Sequence, residues 1–387
     1  MKPRALLHLV YTDGLQSHAT HCTCQSSPMR VSNAPRTFFT TLDAIRGVAA
    51  LLVMLRHIGF FDGLRFQESY LAVDVFFLLS GVVIGNAYEA RLRGGMSVWV
   101  FSWARVVRIF PLYLLGSALT AYAWLAGDSV ASTQLAWLAM LACLMLPSFQ
   151  TAQPFPLNHP AWSLFFELVA NLSYALVLRW LSTRVLAIVV AMGAIGTVAL
   201  LWFAPTHSLD VGWSQANFAA GLIRVGFSFF AGVLLFRIYA AAAARQQHHG
   251  AKPRAASPAW RAWLCVALVA ALLMSCPSAA LQPWFDGAVV LVAFPWLVYR
   301  ALWCEPVGYA ARVARWLGAV SYPVYVLHVP LSSWVHQNLA LHNDLPGRTA
   351  TLWIGAGFVA CLLPVCSLLN RYYDARARRL LLMYGPR

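Results

Sequence analysis

Apolar runs of membrane-spanning length recur along this chain and restrict its fold more than any other feature. Only 11% of its 387 residues are charged, whereas a soluble domain carries roughly 25%. Eleven candidate runs are present, at 42–60, 70–88, 107–126, 134–149, 161–180, 185–204, 217–239, 262–276, 285–303, 316–338 and 349–370. The chain is therefore predicted to be an all-α polytopic helical bundle in a lipid bilayer.

Positive charge between the runs sets the expected orientation. If all eleven runs crossed from a cytoplasmic N-terminus, the basic segment 240–261 would lie outside, although Lys and Arg tend to remain in the cytoplasm. The run 134–149 is short for a hydrocarbon core of ~30 Å and has no flanking charges. We therefore expect about ten spans, one re-entrant or partial segment at 134–149, and both termini in the cytoplasm.

The net charge of +15 would suggest a nucleic-acid partner in a soluble protein. Here the basic residues lie mainly between apolar runs, so we interpret them as topology signals and expect membrane lipid, not nucleic acid, as the partner. The eight cysteines are scattered and predict no disulfide framework. Cys22 and Cys24 beside His21 are weak evidence for a metal, because a lone C-x-C lacks a second ligand pair, and no metal is expected.

Composition divides the chain into three parts. Residues 1–36 are polar, lack the apolar core of a signal peptide and are expected to be disordered. If Met29 is the true start, most of this tail is not part of the native protein. Residues 37–375 are predicted to form the transmembrane domain, and residues 376–387 a basic cytoplasmic tail.

The first apolar run carries two ionisable side chains that would share one face of a helix. Between Arg46 and His57 an α-helix makes three turns plus about 20° and rises ~16.5 Å. A charged group at mid-membrane costs at least ~2.5–3.5 kcal/mol, so such groups usually face the bundle interior and have a function. The alternative is that Arg46 anchors the interface and His57 extends toward water at the opposite end.

Two carboxylates lie at the starts of later runs. Asp74 could orient a histidine or bind a substrate hydroxyl, or it could cap its helix. Glu167 could act as a proton partner, because burial favours the protonated form of a carboxyl group, or it could interact with the helix dipole. The residues alone leave these alternatives open.

Basic side chains flank or enter two further runs. Arg105 and Arg108 lie on one helix face, where guanidinium groups could grip phosphates, bind lipid headgroups or set topology. His328 lies mid-helix between two prolines, where it could line a cavity or be a satisfied structural residue.

The expected orientation separates these groups by depth. It places His57, Asp74, Glu167 and His328 in the outer half of the membrane and the three arginines, Arg46, Arg105 and Arg108, at the inner mouth. This separation indicates a cytoplasmic port for an anionic donor and a reaction centre nearer the outside.

Several of these residues belong to an ordered set of five motifs. The motifs are Leu42–Gly47 with His57 (L-D-A-I-R-G and R-x10-H), Val73–Gly81 (V-D-x-F-F-x-L-S-G), Arg105–Tyr113 (R-x-x-R-I-x-P-x-Y), Trp162–Glu167 (W-S-L-x-x-E) and Ser321–His328 (S-Y-x-x-Y-x-x-H). Over residues 38–372 the chain resembles the membrane acyltransferase-3 family, the O-acyltransferases of bacterial surface polysaccharides, lipopolysaccharide and Nod-type glycolipids. It departs from the family pattern at Ala44 and Ala72, where glycine is usual, and at Leu168, where a second acidic residue is frequent.

The resemblance implies a ten-span core in the bacterial inner membrane, an acyl-CoA donor, commonly acetyl-CoA, and His57 as the catalytic residue. The expected acceptor is a hydroxyl of a cell-surface or exported polysaccharide or glycolipid, with the polysaccharide biosynthesis machinery as a further partner. Arg105 and Arg108, with Arg46, are expected to bind the donor phosphates. His57 would act as a general base or carry the acyl group, and the sequence does not decide between these roles.

The remaining site residues have supporting roles in this hypothesis. Glu167 or Asp74 would fix the tautomer of the His57 imidazole, and His328, Tyr325 and Trp162 are expected to bind substrate. A transporter or flippase for a sugar or lipid-linked intermediate is the alternative function, since buried charges suit it too. It is disfavoured because the chain shows none of the paired, interrupted halves of repeat-built carriers.

Overall fold

Helices account for all the regular structure in the residues described by the computed structural model, which are 38–61, 66–127, 130–248, 258–341 and 348–386. The helices are α1 Thr40–His57, α2 Ala72–Arg93, α3 Val98–Ala126, α4 Ser132–Cys143, α5 Ala161–Val177, α6 Thr183–Phe203, α7 Ala220–His248, α8 Ala259–Leu273, α9 Gln282–Ala288, α10 Phe294–Leu302, α11 Gly308–Leu341, α12 Arg348–Leu368 and α13 Ala375–Met383. A π-helical turn joins α9 to α10, another joins α12 to α13, and a 3-10 helix, Gln67–Leu71, precedes α2. The tail predicted at 1–36 lies outside the described residues.

The all-α membrane class predicted from the apolar runs is confirmed. Six helical segments in the described residues are long and apolar enough to cross a bilayer: Gln67–Arg93, Val98–Ala126, Thr183–Phe203, Ala220–His248, Gln282–Leu302 and Thr349–Met383. The segment expected to be partial contains α4, whose 12 residues span about 18 Å, less than a core of ~30 Å. The total of ten spans stays a prediction.

The outer surface of the bundle is apolar, as lipid contact requires. On α6, Ile188, Met192 and Ile195 are 59%, 66% and 70% exposed. A row of large exposed apolar side chains along a whole helix is unfavourable in water but suited to hydrocarbon. This surface supports a multi-pass membrane protein.

Polar contacts gather at the two ends of the bundle. At one end, the backbone N–H of Thr40 donates to the carboxylate of Glu305 after α10 at 3.1 Å. At the opposite end, the Tyr70 hydroxyl donates to Asp286 of α9 at 2.8 Å. We name these the Thr40 end and the His57 end, after the first and last residues of α1.

Helices α1 and α11 pack against each other more extensively than any other pair in the described part of the chain. They run parallel, and glycines permit the close approach: a Cβ on Gly318 would lie 2.5 Å from the Asp43 Cβ, and one on Gly47 would lie 2.5 Å from the Leu317 Cβ. Small residues at such contacts are typical of membrane helix pairs. The contact places polar residues of the two helices side by side, Arg46 beside Ser321 and His57 beside His328.

The basic segment near the C-terminus is helical and packed. Trp103 of α3 donates from Nε1 to the carbonyl of Leu381 in α13 at 3.3 Å, and the Tyr373 hydroxyl donates to the carbonyl of Pro111 at 3.1 Å. Helix α13 is thereby attached to α3 at the Thr40 end.

Candidate active site

His57 is the last residue of α1, and its side chain is accessible. Its Nδ1 lies 2.7 Å from the Val53 carbonyl oxygen. Because a carbonyl only accepts, Nδ1 carries the proton of the neutral ring and Nε2 keeps a free lone pair. The backbone therefore sets the tautomer that the sequence hypothesis assigned to Glu167 or Asp74.

Two further imidazoles flank His57. The ring centroid of His328 lies 5.5 Å away and that of His159 lies 6.1 Å away. His328 is fully buried with Nδ1 on the Val324 carbonyl at 2.9 Å, and its Nε2 has no hydrogen-bond partner. In the part of the chain that the structure describes, no group of three or more His, Cys, Asp or Glu could hold a metal ion. The cluster thus offers unsatisfied nitrogen atoms beside an accessible imidazole.

The loop before α5 brings His159 into the bundle. Asn158 donates from Nδ2 to the carbonyl of Val326 in α11 at 3.2 Å. A Cβ on Gly116 of α3 would lie 2.7 Å from that same Nδ2, so glycine leaves room for the loop between α3 and α11. The hydrogen bond fixes the residue adjacent to His159.

The motif at the start of α5 distributes its side chains to different partners. Ser163 and Tyr325 share a hydrogen bond of 2.7 Å, and the ring of Tyr325 lies 6.2 Å from that of His328. Trp162 lies under the guanidinium of Arg224, 5.5 Å from the ring centroid. Tyr325 is thus next to the histidine cluster, whereas Trp162 supports a neighbouring ion pair.

Asp74 forms that ion pair. It lies 2.6 Å from Arg224 of α7, and the two side chains are 1% and 0% exposed. Ser228 and the Val211 carbonyl complete the hydrogen bonds of the pair. The carboxylate of Asp74 is thus occupied by the guanidinium group of Arg224, and this ion pair joins α2 to α7.

Glu167 is also bound by a guanidinium group. Arg105 of α3 donates to it at 3.0 Å, and Ser80 of α2 at 2.7 Å. The depth separation expected from the sequence placed Glu167 in the outer half and Arg105 at the inner mouth. Their contact shows instead that the two lie at one depth, because α3 and α5 cross at this level.

Arg46, Arg105 and Arg108 do come together. Arg46 bonds to Asp43 at 2.5 Å and to Ser321 of α11 at 3.2 Å. Arg108 lies over the ring of Tyr322, 5.5 Å from its centroid, and interacts electrostatically with the other two arginines. Arg378 of α13 lies within electrostatic range of Arg108 and Arg105. These four residues form the guanidinium cluster.

A cavity of about 470 Å³ opens at the His57 end. Its polar walls come from α1, the 3-10 helix, the loop before α7 and α9: Arg56, Glu68, Tyr70, Ser208, Asp210 and Gln282. Arg56 binds Asp210 at 2.6 Å, and Gln282 donates to Glu68 at 2.8 Å. The cavity is therefore lined by an organised hydrogen-bonding network.

Some residues of the site escaped the sequence analysis, and three of them show why. Arg224 lies within an apolar run, so the criterion that selected Asp74 would have found it. His159 lies in a loop and carries no periodic signal, but it lies three residues before Trp162, the first residue of the W-S-L-x-x-E motif. Asp210 lies between helices and becomes recognisable only through its contact with Arg56.

The chain is similar in sequence to a known protein family and to two curated proteins. A family model described as an acyltransferase domain matches residues 39–384. "Protein 2 in picA locus" of Rhizobium radiobacter is 36% identical over 193 residues, covering 44% of this chain and 97% of that protein. The peptidoglycan O-acetyltransferase OatA of Listeria monocytogenes is 22% identical over 327 residues, covering 78% of this chain and 50% of that protein, so the chain spans half of this relative's length. No solved structure matches the chain.

Proposed function

The chain belongs to the membrane acyltransferase-3 family, and on this premise we propose that it transfers an acetyl group from acetyl-CoA to a hydroxyl of a cell-surface or exported polysaccharide or glycolipid. The observation that carries the proposal is the placement of an accessible imidazole and a guanidinium cluster along α1 and α11. The O-acetyltransferase relative supports acetyl as the transferred group.

The guanidinium cluster suits the nucleotide end of the donor. Coenzyme A carries several phosphate charges, and guanidinium groups bind phosphates through paired, charge-assisted hydrogen bonds. Asp43, Glu167 and Asp374 each pair with one arginine of the cluster, so its four guanidinium groups keep a surplus of positive charge. We assign phosphate binding to Arg46, Arg105 and Arg108, and place the Thr40 end on the cytoplasmic side.

His57 suits the role of general base. Its free Nε2 would take the proton of the acceptor hydroxyl while the hydroxyl oxygen attacks the thioester carbonyl carbon. The carbon–sulfur bond then breaks, the acetyl group remains on the acceptor oxygen, and the proton passes from Nε2 to the departing thiolate. The products are the O-acetyl ester and free coenzyme A.

His328 and Tyr325 would position the acceptor through a second hydroxyl, because the reacting hydroxyl gives its only hydrogen to His57. Because the Nδ1 of His328 donates to a backbone carbonyl, its Nε2 carries a lone pair and can only accept a hydrogen bond. This Nε2 has no partner among the described residues, and a substrate hydroxyl can donate to it. Tyr325 can reach the same region from the adjacent turn of α11. Asp74 and Glu167 act here through helix packing and the donor site, since guanidinium groups already engage both carboxylates.

The proposed setting is the bacterial cytoplasmic membrane, with both termini in the cytoplasm and the His57 end facing outward. In this orientation the donor enters from the compartment that makes it, and the product appears at the outer surface beside the polysaccharide biosynthesis machinery. The basic side chains of α13 at the Thr40 end agree with this orientation.

A transfer assay tests the proposal. Protein purified in nanodiscs is incubated with acetyl-CoA labelled in the acetyl group and with de-acetylated surface polysaccharide from the source bacterium. Label should enter the polysaccharide as a base-labile ester, with release of one thiol per ester. Movement of a glycolipid between leaflets without ester formation would instead establish the transporter alternative.

A further inference from the structure

We propose that the cavity at the His57 end binds one neutral sugar unit of the acceptor and excludes sugars that carry a negative charge. This inference rests on the proposed function and specifies where and how the acceptor is recognised. It concerns Glu68, Gln282 and Asp210, which lie outside the five sequence motifs.

The size of the cavity fits a small polar ligand. Ligand sites in proteins commonly have volumes of ~300–1,000 Å³, and this cavity has about 470 Å³. It is open on one side, as a polymer segment entering from outside requires. A single sugar unit of a longer chain can therefore occupy it.

The walls supply the hydrogen-bonding groups that a sugar ring needs. Glu68 and Asp210 provide acceptor oxygens, and Gln282 and Ser208 provide both donors and acceptors. Phe61 and Phe66 line the same space and offer flat apolar faces to the C–H face of a ring. The polar side chains can bind the hydroxyl groups of a pyranose, and the aromatic rings can pack against its C–H face.

The charge of the walls selects against anions. Two carboxylates, Glu68 and Asp210, face one guanidinium group, that of Arg56. Arg56 is already committed to Asp210 at 2.6 Å and to the backbone carbonyl of Gln67. A uronic acid or a phosphate would therefore meet the negative charge of Glu68, which forms no ion pair with a cation in the described part of the chain, whereas a neutral hydroxyl-rich ring would not.

The cavity lies beside the proposed base. Its wall includes Arg56, the residue before His57. On the other side, His57 packs near His159, whose ring lies 5.7 Å from that of Trp213. Trp213 in turn donates from Nε1 to the carbonyl of Asp210 at 3.2 Å. The same set of contacts thus borders the cavity and the histidine cluster, so a ring bound in the cavity would lie next to the proposed base.

Binding measurements on the full chain in nanodiscs test this inference. The probes are methyl β-glucoside, methyl β-galactoside and N-acetylglucosamine as neutral sugars, and glucuronate as the charged sugar, observed by saturation-transfer NMR. We expect at least one neutral probe to bind, and glucuronate to bind at least ~10-fold more weakly. Glu68→Gln and Gln282→Ala should each weaken the neutral probe about 10-fold or more, because the first replaces a charged hydrogen-bond acceptor with a neutral amide and the second removes an amide.

Gln215→Ala is the matched control, since this exposed amide outside the cavity donates only to the Phe149 carbonyl. Size-exclusion elution and thermal unfolding of each variant report whether the bundle is folded, and Gln282→Ala alone is interpreted if Glu68→Gln is misfolded. If wild-type protein binds acetyl-CoA but no neutral probe, or if both cavity variants bind the probe as wild type does, the inference is overturned and the proposed function stands. If the protein binds the probe, the cavity variants weaken this binding, and the protein does not bind acetyl-CoA, the cavity is supported and the proposed function is overturned.

Discussion

The two ends of the bundle are formed by the same helices but carry opposite chemistry. Near the Thr40 end, Arg46, Arg105 and Arg108 gather with fewer carboxylates than guanidinium groups. At the His57 end, imidazoles lie beside a cavity whose wall contains two carboxylates and Arg56. Arg56 already pairs with one of these carboxylates, that of Asp210. One end therefore favours an anion, and the other favours a neutral ligand rich in hydroxyl groups.

The difference shows how one bundle can handle two unlike substrates. Parallel packing of α1 and α11 links Arg46 to Ser321 at one level and brings His57 beside His328 at the other. A donor that spans both levels can thus be held by its charge at one end and react at the opposite end. Loss of a group at the Thr40 end should therefore affect donor binding, and loss of a group at the His57 end should affect acetyl transfer.

Replacement of His57 should have the largest effect. His57→Ala removes the proposed base, and the rate of acetyl transfer should fall about 10²–10⁴-fold, while the dissociation constant of acetyl-CoA remains as in wild type. Labelled transfer and calorimetric binding measure the two quantities. His207→Asn, an imidazole change in an exposed turn of the same end, is the control. Equal transfer by His57→Ala and wild type would refute the assignment of the base.

Breaking the buried Asp74–Arg224 pair should reduce stability. Arg224→Met leaves a buried carboxylate uncompensated, and the free energy of unfolding should fall by about 3–5 kcal/mol. Thermal unfolding in detergent, followed by size-exclusion chromatography, measures the loss.

The double variant Asp74→Leu/Arg224→Met separates stability from chemistry. With both charges replaced by apolar groups, much of the lost stability should return. If the single variant were as stable as wild type, the pair would not hold α2 against α7. If the double variant regained stability but transferred no acetyl group, Asp74 or Arg224 would have a direct role in the reaction.

At the Thr40 end, Arg108→Gln should weaken donor binding and spare the chemical step. Loss of a charge-assisted hydrogen bond of about 1.5–3 kcal/mol corresponds to a rise of about 10- to 100-fold in the KM for acetyl-CoA. Steady-state kinetics at saturating donor should show kcat close to wild type. Arg312→Gln, an exposed arginine of α11 outside the cluster, is the control. A fall in kcat with an unchanged KM would show that Arg108 acts in the chemical step. Donor binding and chemistry would then not be separated between the two ends of the bundle.

The smallest effect is expected for Arg93→Gln. Arg93 lies 3.2 Å from Glu89 with its side chain 43% exposed, whereas Arg237 lies 2.9 Å from the same carboxylate with its side chain 10% exposed. An exposed ion pair contributes less than about 1 kcal/mol, so Arg93→Gln should leave the unfolding temperature nearly unchanged. Arg237→Gln should lower it measurably, and equal effects would show that burial does not rank these pairs.

Sequence analysis located the helices and placed Arg46 and His57 on α1 and His328 on α11, but it did not identify the partners of the buried charges. The long apolar runs predict the helices because a helix satisfies its own backbone hydrogen bonds within one segment, whatever lies beside it. The partner of Asp74 is 150 residues away in sequence, and no local pattern relates the two. The common depth of Glu167 and Arg105 likewise depends on how α3 and α5 cross.

The sequence by itself determined the all-α membrane class, the placement of Arg46 and His57 on one helix, and the family to which the chain belongs. Helical periodicity and the cost of placing charge in lipid are local properties, so a single segment expresses them. Only the tertiary structure decided that a backbone carbonyl sets the tautomer of His57, that His159 joins it from a loop, and that the cavity with Glu68 opens beside them. Those contacts join distant segments, because close packing between helices rather than any property of one helix brings them together.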